Sequence, residues 1–586
     1  MYMQASNSSK ASMSLHTHRV LTCVKSIQSC PYYQMASQSL RKALLENAHL
    51  LVYLHRLDHV PVYKEQLSRG ADENIPSVIY PVGDPVFIHV LSRGPKERRL
   101  YIPIEPLGDN VPYVRNANNL IDIVIGLILR SIREDEEIRT LEEKKAKLRR
   151  YLSVVVKVSN KLGPGSYYRE DGKLIVSRDV WKLLEYSVMK EMAGVGPLEP
   201  MIRDPYIEDI SVPGTGPVYI EHKLFESCET TIRFNARELR SYAERLGQLV
   251  GRIPSLKRPI VDGILPDGSR LNIVYDENIS LRGPNISIRK FSAKPMSIIE
   301  LIRLNTLDYM MAAYLWMLLD NNLNVWFCGE TASGKTTLMN ACLAFIPFNY
   351  KVVSIEDTPE VIVPHANWVR ERTNDEAGVG LFELLRNALR QRPNYLIVGE
   401  IRGKEAYVAF QAMQTGHACC STFHCGSVEQ LVQRLTGHPI EIPKTFLDIL
   451  NAITIQGLIR HPKTGKLARR VFGIYEFLGY DPIEDRFNFI EIFSWDPATD
   501  SFTFRGEGMS YLLEEKVARM RGVPKKEVRR IYRELEERAE ILKLADALNI
   551  IDYYELFDLF KEVRLQGPLK ILDSLKKKYV TVLKSS

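Results

Sequence analysis

The stretch LNVWFCGETASGKTTLMNACLAF, Leu323 to Phe345, decides how the rest of the chain reads. Its first part is apolar without polar alternation, the texture of a strand buried on both faces in a parallel sheet covered by helices. The turn that follows, GETASGKTT, fits the spacing G-x-x-x-x-G-K-[ST]. A strand before it and a helical run after it separate a P-loop from a chance glycine-rich turn. Gly329 and Gly334 let the backbone curl so that N–H groups point inward at phosphate oxygens. The helix N-terminus adds partial positive charge. The nucleotide-binding residues are therefore Gly329, Glu330, Thr331, Ala332, Ser333, Gly334, Lys335, Thr336 and Thr337. Lys335 is expected to reach the β- and γ-phosphates, and the Thr336 hydroxyl to ligate Mg²⁺.

Two further runs share the strand texture, KVVSIED and NYLIVGE. Glu356 and Asp357 end the first and Glu400 the second. A P-loop needs an acidic partner on a neighbouring strand end. Either glutamate is suited to hold hydrated Mg²⁺ or to orient the attacking water, and the residues alone do not choose. A strand-end carboxylate is commonly just solvated, but two that end buried strands beside a P-loop make that reading weak.

The stretch TGHACCSTFHCGS, Thr415 to Ser427, crowds two histidines and three cysteines together like a metal site. A strand over Ala418 to Phe423 would send His417, Cys419 and Ser421 one way and Cys420, Thr422 and His424 the other. That division is poor geometry for one tetrahedral ion. The eight cysteines include no C-x-x-C pair, and several sit in apolar runs. They read as buried thiols of a reducing cytoplasm rather than a disulfide framework.

Around this α/β core the chain, 586 residues long, has room for three or four domains. Residues 1–40 read as a disordered tail, with Met3, Met13 and Met35 as alternative starts. Residues 41–165 mix helix (LRKALLENAHLLVYLHRL) and strand (SVIYPV, PVFIHVLS, RRLYIPI), then turn helical with the charged run IREDEEIRTLEEKKAKLRR. Residues 166–291 order helix and strand as an α+β domain. SAKPMS, Ser292 to Ser297, reads as a hinge. Residues 298–504 hold the P-loop domain, and 505–586 are helical, with Pro524 in the first turn of a long helix.

Net charge is +7, with 45% hydrophobic and 25% charged residues. That permits acidic partners without demanding them, and argues against a halophile. LIDIVIGLIL, Leu120 to Leu129, is too short to span a bilayer and contains Asp122. The N-terminus has no apolar signal core. A soluble chain with at most peripheral membrane contact is expected.

Four boxes then fall in order: GETASGKT, VSIEDTPE, LIVGEIR and TGHACCSTFH. With GVGPLEPMIRDPYIEDISVPG, LPDGSRLNI and RGPNISIRKF upstream, they resemble the secretion ATPase superfamily of type II secretion, type IV pili, the archaellum and type IV secretion. IEIFSWDPATDSF and the tail RELEERAEILKLADALNIIDYYELF are similar to its archaeal branch, the archaellum-motor and archaeal pilus ATPases. The resemblance covers about Val176 to Leu572. It implies a RecA-like ATPase domain preceded by an α+β, PAS-like domain, with ATP and Mg²⁺ as cofactors. It makes Glu356 the general base and Glu400 the partner of Mg²⁺ through water. His424 would sense the γ-phosphate with His417 alongside, and Arg282 and Arg289 would be arginine fingers, with Arg270 a weaker candidate. It also implies a homo-hexamer that opens and closes at the hinge on the cytoplasmic face of the membrane, docked on a multi-span platform protein. The four-cysteine zinc insert of bacterial relatives, built of paired C-x-x-C motifs, is absent, so no structural zinc is expected, and Asn394 stands where Asp is usual.

The expected function is a hexameric motor that drives assembly of a type IV pilus-like filament, or secretion. An archaellum motor is the nearest alternative, and the long N-terminal region favours the pilus type. A nucleic-acid translocase is the alternative of another class, disfavoured because no basic stripe interleaved with aromatics is present. A non-hydrolysing scaffold is a third, disfavoured by intact Lys335, Glu356 and Glu400. The basic segment PKKEVRRIYR reads as a solvated helix face rather than a lipid contact.

Overall fold

Strands without polar alternation build a sheet that must be covered on both sides. In this computed structural model that sheet dominates one of two units, Met1–Ser292 and Ala293–Ser586. The structure describes residues 23–585 except 25, 69–70, 95–96, 132–139, 292–293, 375–376, 462–464 and 466. The expected tail before residue 23, the start of the hinge and part of the charged run thus lie outside the described residues.

The second unit is a nine-stranded sheet. In spatial order come Trp368–Arg372, Val352–Glu356, Tyr395–Ile401, Ala418–Phe423, Val325–Gly329 and Ala452–Arg460, all parallel to their neighbours. Leu467–Asp481, Arg486–Asp496 and Ser501–Phe504 extend it antiparallel. Helices Leu381–Arg390, Glu405–Gln414 and Val428–Thr436 contribute to the core on one face. Helices Tyr309–Asp320 and Lys335–Leu343 contribute to the core on the other. YMMAAYLWMLLD is apolar all round and is therefore buried all round. It needs an outer layer, and the C-terminal helices Arg529–Ala547, Tyr553–Gln566 and Pro568–Ser585 share its core. Asp320 fastens that layer to Arg538 at 2.7 Å and Arg521 at 3.3 Å, and also pairs with Arg564. Burial pushes the Asp320 carboxyl up, but the three guanidiniums hold it below its ordinary value. Pro524 caps a short turn, Lys525–Glu527, just ahead of the long helix rather than sitting in its first turn.

The SWDPATDS segment has a structural reason. Asp500, in the left-handed region at the hairpin tip, accepts from Arg470 Nε and Nη2 at 2.7 and 2.9 Å and from Trp495 Nε1 at 2.9 Å. Arg470 is buried, so the hairpin supplies the charge partner that burial requires.

The first unit is built on a ten-stranded sheet. Its later strands (Ile207–Val212, Gly216–His222, Glu226–Phe234, Ile260–Ile264, Arg270–Val274 and Asn285–Arg289) carry helix Ala236–Leu249, the α+β arrangement expected. The sheet does not stop at residue 165. Arg99–Ile104 pairs in parallel with Glu226–Phe234, and Phe87–Leu91, Ser77–Pro81 and Val62–Tyr63 continue outward. A buried carboxylate ties the two parts: Tyr80 and Tyr101 hydroxyls donate to Asp204 Oδ2 at 2.7 and 3.0 Å. Helices Ala117–Ser131, Leu141–Val155 and Arg178–Met192 enclose a separate core with a three-stranded sheet. The segment before residue 41, expected as tail, is helical in part, with Pro31–Met35 and the start of Gln38–Glu46; Cys30, Ala36 and Leu40 are buried there. No described helix is long and apolar enough to cross a membrane.

Candidate functional site

The P-loop turn leaves its strand at Gly329 and enters helix Lys335–Leu343 at Gly334, whose φ is +91°. Ala332 also lies in the left-handed region, at +62°. A Cβ on Gly329 would stand 2.5 Å from the Gln456 carbonyl oxygen, so the close approach of the next strand demands glycine. The turn is cross-braced, since Ser333 Oγ and Lys335 Nζ each donate to the Glu330 carbonyl at 2.8 Å. Burial lowers the Lys335 ammonium and Glu400 pulls it back up. This cradle fits a phosphate chain, and Thr336 follows Lys335 at the helix start where a Mg²⁺ ligand is required.

Both carboxylates end strands on the same side of the sheet. Ile355 is paired with Val398, Glu400 with Thr422 and Cys328 with Phe423, so Glu356, Glu400, Gly329 and His424 all lie at the C-terminal strand ends. Ligands bind at that side of open α/β sheets. Glu356 is 2% exposed. Its Oε1 accepts from the Glu360 and Val361 amides, both at 2.6 Å. Its Oε2 is buried without a hydrogen-bond partner, with Arg370 Nε 3.6 Å away. Burial pushes this carboxyl up to about 7, against the two amides and Arg370. Gly399 on the adjacent strand makes room, as a Cβ there would sit 3.1 Å from Glu356 Cγ. Glu400 is part-exposed and pairs with Arg402 at 2.5 Å. Asp357 is exposed. Asn394 Oδ1 accepts from the Lys351 amide at 2.9 Å at the far end of the Glu400 strand, a brace that Asp would make equally well.

The two histidines part company. His424 follows strand Ala418–Phe423 at its C-terminal end, half-buried, in an open depression of about 400 Å³ with Glu330, Thr331 and Arg434. The Arg434 guanidinium donates to its carbonyl. His417 precedes the same strand, one strand length away, about 20 Å at the rise of an extended chain. Its Nδ1 is hydrogen-bonded to Thr415 at 3.1 Å. His417 is therefore not alongside His424 at the P-loop, because an extended strand carries its two ends to opposite edges of the sheet. The cysteines disperse too: Cys419 is in one core and Cys420 in the other, on opposite faces.

Two neighbours of the P-loop were not singled out from the sequence. Gln456 sits opposite Gly329 on the next strand, and both its amide atoms are buried without a partner. A glutamine inside AITIQGLI was the available signal. Such orphans are costly, and they mark a place that tolerates the cost. Arg469 Nε donates to the Ala332 carbonyl at 2.9 Å, from an antiparallel strand whose contact with the loop is set only by the fold.

The expected arginine fingers belong to the first unit. Arg282 is exposed and donates to the Thr215 carbonyl at 3.3 Å. Arg289 is exposed, paired with Asp209 at 3.4 Å. Arg270 lies directly opposite Arg289 across adjacent strands. Like charges in that position repel, and Asp209, facing Arg289 from the neighbouring strand on its other side, offsets part of that repulsion.

Comparison with known proteins bears on this arrangement. A family profile described as "Type II/IV secretion system protein" matches residues 191–487, which include the P-loop, both carboxylates and both histidines. An uncharacterized protein of Methanocaldococcus jannaschii is 41% identical over 551 residues, 91% of this chain and 98% of its own. The type IV secretion system protein VirB11 of Brucella suis is 30% identical over 271 residues, 41% of this chain and 74% of its own. A crystal structure of the VirB11 ATPase from the Brucella suis type IV secretion system, in complex with sulphate, is similar at 25% identity and a TM-score of 0.25, covering 48% of this chain and 92% of that one. With the ordered boxes on one sheet edge and the profile spanning them, the chain belongs to the type II/IV secretion system protein family.

Proposed function

We propose that the chain is a hexameric ATPase that powers assembly of a type IV pilus-like filament, or secretion, from the cytoplasmic face of a membrane. Its membrane partner is a multi-span platform protein. Rotation of an archaellum would use the same chemistry in a different assembly. The observation that carries the reading is the convergence of the P-loop, Glu356, Glu400 and His424 on one end of the parallel strands.

Each residue then has a task. The P-loop amides and Lys335 hold the phosphates, and Thr336 and, through water, Glu400 would hold Mg²⁺, which would neutralise charge on the phosphate oxygens. Glu356 takes the proton of the attacking water; a carboxyl poised near 7 is matched to that work at neutral pH. His424 contacts the γ-phosphate. Arg282 and Arg289 add positive charge to the transferring group as the hinge closes. Closure and opening then convert turnover into movement.

The test is phosphate release by the purified full chain with ATP and Mg²⁺, alongside light scattering for mass. Turnover from a hexamer, absent without Mg²⁺, is expected. No turnover in the presence or absence of lipid would overturn the reading. So would hydrolysis stimulated by single-stranded DNA with steeply salt-dependent binding, which belongs to a translocase.

A further inference from the structure

Among the described residues, the group able to hold a metal ion is not in the cysteine-rich strand. It consists of Cys23, Cys30 and His55, whose donor atoms all lie within 4.8 Å of one another. Cys30 is fully buried and His55 nearly so, while Cys23 is part-exposed. Cys30 Sγ stands 3.3 Å from His55 Nε2. Zinc bonds of about 2.3 Å to sulfur and about 2.0 Å to nitrogen, at a tetrahedral angle, place those two atoms about 3.5 Å apart. A simple thiol–imidazole hydrogen bond would also bring those two close; the metal reading adds the Cys23 thiol, whose sulfur lies within 4.8 Å of both.

The surroundings favour a fixed imidazole. Tyr32 lies with its ring 4.6 Å from that of His55, and its hydroxyl donates to the Leu57 carbonyl at 3.0 Å. His55 ends helix Ala48–Leu54, its amide still bonded to the Leu51 carbonyl. Charge balance agrees: a divalent ion with two thiolates and a neutral imidazole carries no net charge, as a buried site requires.

The fold has a use for such a link. Among the described residues, the segments around Cys23 and Cys30 include a three-residue turn, Ile27–Ser29, and a five-residue helix, Pro31–Met35. Helices this short are not stable by themselves. Their apolar cluster with Gln38–Glu46 and Ala48–Leu54 is a satellite that rests on Ile79, Phe87 and Ile104 of the outer strands. His49 and Tyr53 already tie the later helix to Pro85 and His89, and a metal joining Cys23 and Cys30 to the end of that helix would extend the fastening to the segment before it.

We propose that Cys23, Cys30 and His55 form a structural zinc site that fastens the N-terminal segment to the outer edge of the first unit. It revises the expectation of no structural zinc, which rested on the lack of C-x-x-C pairs. Structural zinc takes four ligands. The proposal rests on the three donors Cys23, Cys30 and His55, and the metal count and the Co²⁺ spectrum below report the full coordination.

The experiment uses the full chain, made without a histidine tag and purified under reducing conditions without chelator. Zinc is counted by mass spectrometry, and Co²⁺-loaded protein is examined for thiolate charge-transfer and tetrahedral d–d bands. About one zinc per chain is expected, falling to about a tenth or less in Cys30→Ser. Cys23→Ser, a milder change at a part-exposed position, should also lose the metal, and covers the case in which Cys30→Ser fails to fold. Cys419→Ala should keep it. Metal-free wild-type protein, a Cys23–Cys30 disulfide in its place, or zinc lost in Cys419→Ala but kept in Cys23→Ser and Cys30→Ser would each overturn the proposal.

Discussion

Two regions bring cysteine and histidine together, and they do it in opposite ways. Residues 415–427 concentrate five such side chains in one short stretch, and the strand scatters them over two faces and two sheet edges. Cys23, Cys30 and His55 are distant in sequence, yet turns and helix ends carry their donor atoms to one point. Density along a chain is therefore a poor guide to convergence in space. The conformation between the residues decides it: an extended strand separates neighbours, whereas loops and helix termini gather residues far apart.

The largest expected effect separates the regions outright. Lys335→Ala should lower phosphate release by roughly 10²–10³-fold or more while leaving zinc content unchanged. Retained turnover would remove the P-loop claim, and lost zinc would mean the two regions are coupled. Next, Glu356→Gln should bind nucleotide and cut turnover by about 10²–10⁴-fold. If Glu400→Gln alone shows that pattern, the two carboxylate roles are exchanged.

The pH dependence follows from burial. The Glu356 carboxyl is raised from 4.5 to about 7, and the base works only when ionised, so hydrolysis should climb as pH rises through about 7. The sign for stability is the reverse: the folded state favours the protonated acid, so stability from this group is lost between about 4.5 and 7 as pH rises. A pH–rate profile, with Glu356→Gln in denaturant titrations, checks both.

Within the histidine strand the two ends should behave differently. His424→Ala should reduce turnover by roughly 10- to 100-fold, and His417→Ala by less than about twofold. Equal losses would mean the assembled protein uses both edges of the sheet. Smallest of all, Cys419→Ala should cost about 1 kcal/mol of stability as a core truncation and leave turnover near wild type.

Much of the second unit was legible. Apolar runs named the parallel strands, and the P-loop text named its own turn, because that turn uses local conformations only glycine and a helix start supply. Glu356 and Glu400 could be named but not told apart. The burial of one and the Arg402 partner of the other depend on elements far away in sequence. Gln456 and Arg469 were missed for a related reason: strand neighbours in a sheet are set by topology. In the first unit, the sheet running past residue 165 was not read, since the parallel pairing of Arg99–Ile104 with Glu226–Phe234 joins segments more than a hundred residues apart.

By itself, then, the sequence determined the local chemistry: a phosphate-cradling turn, strand-end acids, and alternating faces in the histidine stretch. These follow from backbone preferences and side-chain period over a few residues. Only the tertiary structure decided which acid is buried, which histidine meets the P-loop edge, and which cysteines meet a histidine. Those outcomes depend on long-range pairing, where the free energy lies in contacts between segments rather than within them.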